Sequence, residues 1–129
     1  MKVLVVDDNE NLAGLIKMTF ENEGMEVMSA KDGKEGYTTY GIFKPDLVIT
    51  DIQMPKANGL EMMANIRVDN PMVKTIYMSG DINAFRPLLE GEKKRYPVSF
   101  FEKPFSLKSL LKYVLEPATS WPMGNAVAL

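Results

Sequence analysis

Five short apolar segments, each followed by a stretch of helical periodicity, constrain the fold of this chain more than any other feature. The apolar segments are residues 2–6, 26–30, 47–49, 73–78 and 98–101. Strands that alternate regularly with helices favour a parallel sheet with helices on both faces and right-handed crossovers. We therefore predict an α/β fold, a doubly wound five-stranded parallel sheet of the (βα)5 type.

Segment 26–30 differs from the others because polar and apolar residues alternate along it. Alternation is typical of a strand that is covered on only one face, so this segment belongs at an edge of the sheet. An edge position fits the strand order 2-1-3-4-5 of flavodoxin-like folds. In that order the first and third strands are neighbours, and the point where the strand order reverses lies between them.

Capping residues mark the starts of the predicted helices. The first helix begins after Asp8 or Asn9 and stops near Gly24, the third begins after Asn58, and the last begins after Ser106. The second helix follows the turn at Asp32-Gly33. It is indicated by Tyr37, Tyr40, Ile42 and Phe43 and weakened by two glycines, Gly36 and Gly41. Pro87 disturbs the fourth, which we predict to begin near Arg86 and to be short or displaced.

Composition limits the chemistry available to the chain. It has 129 residues, enough for one domain, which we place at 1–116. We predict that residues 117–129 form a loosely ordered tail; the alternative is that Trp121 in this tail docks onto another surface. A net charge of -2 argues against a nucleic-acid surface. Cys and His are both absent, so the chemistry must use carboxylates, hydroxyls, Lys and a hard metal.

The apolar run at the N-terminus is too short for a signal peptide and no run has membrane-spanning length, which indicates a cytoplasmic protein.

Polar residues follow four of the five predicted strands within two positions. Asp7 and Asp8 follow the first strand, Asp51 the third, Ser79 the fourth and Lys103 the fifth. The carboxyl ends of parallel strands form one crevice, so these side chains are predicted to meet there. Three neighbouring carboxylates repel one another unless a cation neutralises them, and Mg2+ with oxygen ligands is the economical choice. In that setting an Asp can act as a nucleophile and carry an aspartyl phosphate, with Ser79 and Lys103 available to hold the phosphoryl oxygens.

This pattern resembles the receiver domain of two-component response regulators, from about residue 2 to residue 115. The matching residues are Asp7-Asp8, Asp51 with Met54-Pro55 and Gly59, Ser79-Gly80, and Lys103-Pro104-Phe105. The resemblance implies that Asp51 accepts a phosphoryl group from a sensor histidine kinase or a histidine phosphotransfer protein. It also implies that Asp8, Asp51 and the backbone carbonyl of Gln53 bind Mg2+, with Asp7 acting through water, and that the Lys103-Pro104 bond is cis.

The resemblance further implies a switch in which Ser79 moves toward the phosphoryl group and Phe100 follows it, although a plain core role for Phe100 is an equal alternative. The face of the fourth helix, fifth strand and fifth helix would then bind an unknown downstream protein. Because no output domain follows the fifth helix in this sequence, we expect output through such a partner rather than through direct contact with nucleic acid or membrane.

Three other functions compete with a signalling switch. A Mg2+-dependent phosphohydrolase of the haloacid dehalogenase type needs a second acid where this chain has Gln53. A scaffold that has lost phosphorylation would be expected to lack one of the acids or the Lys. Flavin binding would place a phosphate beside Asp7 and Asp8, which would repel it. We therefore expect a phosphoacceptor that assists its own phosphorylation and dephosphorylation rather than an enzyme that turns over an external substrate.

Overall fold

A computed structural model describes residues 1–116 and shows five strands and five helices in strict alternation. The elements in chain order are β1 (Lys2–Val6), α1 (Glu10–Glu21), β2 (Glu26–Ala30), α2 (Gly33–Phe43), β3 (Leu47–Asp51), α3 (Gly59–Asp69), β4 (Lys74–Ser79), α4 (Ile82–Lys93), β5 (Val98–Glu102) and α5 (Leu107–Leu115). The strands are parallel and lie in the order β2-β1-β3-β4-β5. The predicted fold class and strand order, including the edge position of β2, are confirmed.

Two apolar layers hold the helices against opposite faces of the sheet. One layer joins alternate residues of β1, β3 and β4 to α1 and α5, for example Ile49 to Ile16 and Leu110. The other joins the remaining strand residues to α3 and α4 and to part of α2. Burial on both faces explains why β1, β3 and β4 are nearly continuous apolar runs in the sequence, whereas β5, at the other edge of the sheet, is only partly buried.

The predicted caps of three helices are present. Asn9, Asn58 and Ser106 each accept a hydrogen bond from a backbone N–H in the first turn of α1, α3 and α5. Of the two candidates for the first cap, the structure therefore selects Asn9 rather than Asp8. Asp32 caps α2 in the same way. Gly24 has φ +86 in the turn after α1, a left-handed conformation that glycine adopts without strain.

The prediction for the fourth helix was wrong. Helix α4 begins at Ile82 rather than near Arg86, and Pro87 lies inside it. The side chain of Asp81 caps the helix start by accepting from the N–H of Ala84 at 3.3 Å. Pro87 costs the helix one backbone hydrogen bond, but Ile82 and Leu89 are buried on either side of it, and each such burial stabilises by about 1.5–3 kcal/mol. Tertiary packing therefore outweighs the local effect of the proline.

The predicted helix α2 is present, and Tyr40 and Phe43 are half-buried, but the other two side chains that indicated it are exposed. Tyr37 and Ile42 are 48% and 79% exposed, whereas Gly33 and Gly36 are the buried residues of this helix. A Cβ at Gly36 would lie 3.1 Å from a methyl carbon of Val6 and nearer still to the sulfur of Met62. The glycines therefore allow α2 to approach the sheet and α3 closely, rather than only weakening the helix.

A buried polar network lies between α3, β4 and α4, and nothing in the sequence pattern indicated it. Arg67 pairs with Glu92 and donates to the hydroxyls of Thr75 at 2.9 Å and Tyr77 at 3.3 Å. Tyr77 in turn donates to Glu92 at 2.7 Å. The guanidinium also lies 4.4 Å from the ring centroid of Tyr96. The network fastens the C-terminal part of α4 to the sheet and to α3.

Residues 117–129, for which we predicted a loosely ordered tail and weighed a docking role for Trp121, lie outside the described residues. Within residues 1–116, each helix is too short or too polar to cross a membrane.

Candidate functional site

The carboxyl ends of four strands bring the predicted site residues to one edge of the sheet. Asp51 is the last residue of β3 and Ser79 the last of β4, while Asp7 and Lys103 directly follow β1 and β5. Each residue is held in place because its strand is hydrogen-bonded to the neighbouring strands of the sheet. This is the position where open α/β sheets carry their reactive groups.

Three carboxylates form the acidic part of the site. One oxygen each from Asp7, Asp8 and Asp51 lies within 4.8 Å of the other two. Asp7 and Asp51 are buried, whereas Asp8 is exposed. An all-oxygen cluster that is open to water on one side fits Mg2+, which binds one or two carboxylates and keeps several waters. The donor set therefore fits the predicted metal ion.

Lys103 supplies the positive charge of the site. Its Nζ donates to Oδ2 of Asp7 at 2.9 Å and to Oδ2 of Asp51 at 3.3 Å. Its backbone N–H donates to the carbonyl of Ser79 at 2.8 Å, which fixes the chain after β5 against the end of β4. The Lys103-Pro104 peptide bond is cis, as the resemblance implied.

Burial and the neighbouring charges shift the pKa values of Asp51 and Lys103. Burial raises the pKa of Asp51, the neighbouring charge of Asp7 raises it further, and Lys103 offsets only part of the rise. Burial by itself would lower the pKa of Lys103, but its hydrogen bond to Asp7 and the charges of Asp7 and Asp51 raise it overall. The ammonium group therefore stays charged, while the ionised form of Asp51 is destabilised until a cation or a covalent group neutralises it.

The two predicted switch residues lie on the same side of the sheet but point to different neighbours. The hydroxyl of Ser79 is buried and accepts from the N–H of Asp81 at 3.0 Å. Phe100 is half-buried, and its ring lies beneath two cations of α4, Arg86 at 5.4 Å and Lys93 at 5.1 Å from the ring centroid. The aromatic ring therefore packs against the helix, at the surface predicted to bind a downstream partner.

Gln53, the predicted source of a carbonyl ligand, lies exposed in the loop between β3 and α3. Two contacts of that loop were not predicted. The hydroxyl of Thr50 donates to the carbonyl of Asp51 at 2.9 Å, and the N–H of Gly59 donates to the carbonyl of Ile52 at 2.9 Å. A Cβ at Gly59 would lie 3.1 Å from that hydroxyl and nearer still to the Asp51 carbonyl, which explains why glycine occupies this position. In the sequence, only the turn residues next to Gly59 indicated that the backbone approaches so closely at this position.

Comparison with known proteins agrees with this geometry. Residues 3–115 match the family described as the response regulator receiver domain. The chain is similar to the alkaline phosphatase synthesis transcriptional regulatory protein PhoP of Bacillus subtilis, at 31% identity over 81% of this chain. The chain spans only 43% of that relative's length.

Two further proteins match over nearly their whole length. The chemotaxis protein CheY of Listeria monocytogenes is 32% identical over 87% of this chain and 93% of its own. The structure of the Francisella response regulator 1452 receiver domain has a TM-score of 0.76 and 31% identity, and the match covers 88% of this chain and 92% of that one. The match to the family covers almost all of the described residues, so the chain belongs to the response regulator receiver domain family of two-component signalling systems.

Proposed function

We propose that this chain is a phosphorylation-dependent signalling switch in which Asp51 is the phosphoacceptor. The observation that carries the proposal is the placement of the Asp51 carboxylate at a strand end, between two further acids and within hydrogen-bonding distance of the Lys103 ammonium. An oxygen of Asp51 would attack the phosphorus of a phosphohistidine on a sensor histidine kinase or a phosphotransfer protein. The O–P bond forms as the N–P bond breaks, and the imidazole leaves with the bonding electron pair.

The residues around Asp51 have separate roles in this proposal. Asp8, Asp51 and the carbonyl of Gln53 would hold Mg2+, with Asp7 acting through water. When bound, Mg2+ neutralises the negative charge that gathers on the phosphoryl oxygens. Lys103 would leave its contact with Asp51 to pair with one phosphoryl oxygen, and the hydroxyl of Ser79 would donate to another.

In this role the chain is a switch rather than an enzyme that acts on an external substrate. Gln53 stands at the position where a phosphohydrolase of the haloacid dehalogenase type would need a second acid, and its amide cannot exchange a proton with a leaving group. Assistance to its own phosphorylation and dephosphorylation by Asp51, Ser79 and Lys103 is the only catalysis proposed. Its location would be the cytoplasm, where kinases have access to ATP.

Incubation with acetyl phosphate tests the phosphoacceptor chemistry. We expect intact-mass spectrometry to detect one phosphoryl adduct per chain in the presence of Mg2+, and peptide mapping after borohydride reduction to place it at Asp51. Removal of Mg2+ with a chelator should reduce the rate of labelling by at least about 100-fold, since the metal contributes several kcal/mol of charge stabilisation. Labelling at another residue, or labelling that is indifferent to Mg2+, would contradict the proposal.

The output surface is proposed to be the face formed by α4, β5 and α5. Support comes from Phe100, whose ring contacts cations of α4 while its strand leads directly into Lys103. Movement of Ser79 toward a phosphoryl group would free space for Phe100 and shift α4, to which an unidentified downstream protein would respond.

Upon addition of beryllofluoride, a phosphoryl mimic, we expect amide chemical shifts to change across α4 and β5 more than across α1 and β2. A change confined to the residues around Asp51 would count against this output surface.

A further inference from the structure

The loop that follows β2 packs directly on the loop that follows β3. Gly33, the first residue of α2, lies against Ala57 in the β3–α3 loop. A Cβ added to Gly33 would lie 2.8 Å from the carbonyl carbon of Ala57 and nearer still to its carbonyl oxygen. Real Cβ atoms essentially never approach backbone atoms so closely, so any side chain at position 33 would push the β3–α3 loop away.

A second contact joins the same two loops. The carboxylate of Asp32 is almost fully buried, and it caps α2 by accepting from the N–H of Glu35 at 2.8 Å. Its other oxygen lies 3.8 Å from Nζ of Lys56. Lys56 has φ +69, a left-handed conformation that costs a lysine free energy and is held by the surrounding loop. The Lys56 side chain is 64% exposed, so this ion pair is a weak link between the cap of α2 and the tip of the β3–α3 loop, and it adds to the closer contact of Gly33 with Ala57.

The base of the β3–α3 loop is held by contacts of its own. The hydrogen bond from Gly59 to Ile52 closes its base, directly after Asp51. The loop is therefore fastened at its base by β3 and at its tip by Asp32 and Gly33. Gln53 lies between these two anchors, one residue from Ile52 and three from Lys56, so a displacement of the loop tip is transmitted toward the Gln53 backbone through a short segment.

We propose that Gly33 and Asp32 are positioning residues for the metal site, acting through Ala57 and Lys56 on the loop that carries Gln53. This inference rests on the proposed function, in which the Gln53 carbonyl is a Mg2+ ligand. Mg2+ requires near-ideal octahedral geometry, and a usable site needs its ligands within about 0.2 Å of their proper distances. Because a Cβ at position 33 would overlap the Ala57 carbonyl, the β3–α3 loop would have to move, and a shift of a few tenths of an ångström at Gln53 is enough to disturb such a site.

Calorimetric titration with MgCl2, without any phosphoryl donor, tests the proposal on the full chain. We expect Gly33→Ala to weaken Mg2+ binding by about 10–100-fold, the range typical of residues that orient metal ligands. Gly41→Ala is the matched control, because position 41 lies in the same helix and a Cβ there meets no atom within 4 Å. Its Mg2+ affinity should equal that of the wild type.

In the acetyl phosphate assay, excess Mg2+ should restore the labelling rate of Gly33→Ala to within about twofold of the wild type, because Asp51 and Lys103 are unchanged.

A second variant covers the case in which Gly33→Ala does not fold. Lys56→Gln removes the ion pair with Asp32 but keeps the backbone. Loss of a positive charge from the loop that carries Gln53 would not by itself weaken the binding of a cation, so a weaker affinity, by up to about fivefold, identifies the positioning effect. Wild-type affinity in Gly33→Ala, or stronger binding in Lys56→Gln, would overturn the inference. Failure of the wild type to bind Mg2+ would instead refute the proposed metal site itself, and this inference with it.

Discussion

Asp51→Asn is expected to abolish the Mg2+-dependent phosphoryl adduct and, in the absence of Mg2+, to raise the melting temperature of the chain. An amide oxygen is not a nucleophile toward phosphorus at neutral pH, so labelling should fall to background. The same change removes a buried charge that burial and Asp7 disfavour, while Lys103 keeps its hydrogen bond to Asp7. Activity and stability should therefore change in opposite directions, as is common where a strained site serves function.

The sign of the stability effect follows from the raised pKa of Asp51 in the folded chain. A carboxyl group whose pKa is higher in the folded than in the unfolded state destabilises the fold as pH rises through the interval between the two values. The advantage of Asp51→Asn should thus be largest at neutral pH. It should shrink as pH falls and vanish below the unfolded pKa of about 3.9, where the carboxyl is protonated in both states.

Asp69→Asn is the matched control, since Asp69 is an exposed residue of α3 remote from the site. This variant should keep the adduct, and its free energy of unfolding should lie within about 0.5 kcal/mol of the wild type. Differential scanning fluorimetry in a chelating buffer at several pH values, together with intact-mass analysis, measures both effects. An adduct that survives in Asp51→Asn, or a melting temperature that falls at neutral pH, would show that the acidic cluster does not act as described.

The fold could be predicted from the sequence because its strongest signals are local. Four apolar runs, one alternating strand and the capping side chains of Asn9, Asn58 and Ser106 each act within a few residues, and together they leave few topologies. The start of α4 and the role of the glycines in α2 were predicted wrongly because the decisive contacts are not local. Burial of Ile82 and Leu89 lets a helix continue through Pro87, and close packing turns Gly36 into a buried residue.

The grouping of the site residues could also be predicted from the sequence, because it follows from the strand order. Parallel strands deliver their last residues to one edge, so Asp7, Asp51 and Lys103 had to lie close together once the strand order was fixed. The support around them could not be anticipated. Whether Gly33 lies against Ala57 depends on how two loops meet in space, and no periodicity in the sequence encodes that meeting.

The buried network around Arg67 is the clearest feature that sequence patterns cannot predict, and its disruption should have the largest effect on stability. Glu92 is separated from Arg67 by 25 residues, and only the folded chain places the two charges together beneath α4. Burial raises the pKa of Tyr77, so its hydroxyl stays protonated and serves as the second donor to Glu92. Arg67→Ala would remove the charged partner of Glu92 and the donors to Thr75 and Tyr77 at once.

We expect Arg67→Ala to lower the free energy of unfolding by about 3–5 kcal/mol, because it leaves a mostly buried carboxylate without its counter-charge. That is a large part of the 5–15 kcal/mol typical of a domain, and urea denaturation measures it directly. Arg86→Ala is the control: its pair with Glu90 is 3.9 Å long and both side chains are 50% exposed, so even with loss of its contact with the Phe100 ring the cost should be about 1 kcal/mol. In a double-mutant cycle, Arg67→Ala with Glu92→Ala should cost clearly less than the sum of the single changes, since neither charge is then left unpaired. Equal costs for Arg67→Ala and Arg86→Ala, or strict additivity in the cycle, would mean that α4 is held by its apolar contacts alone.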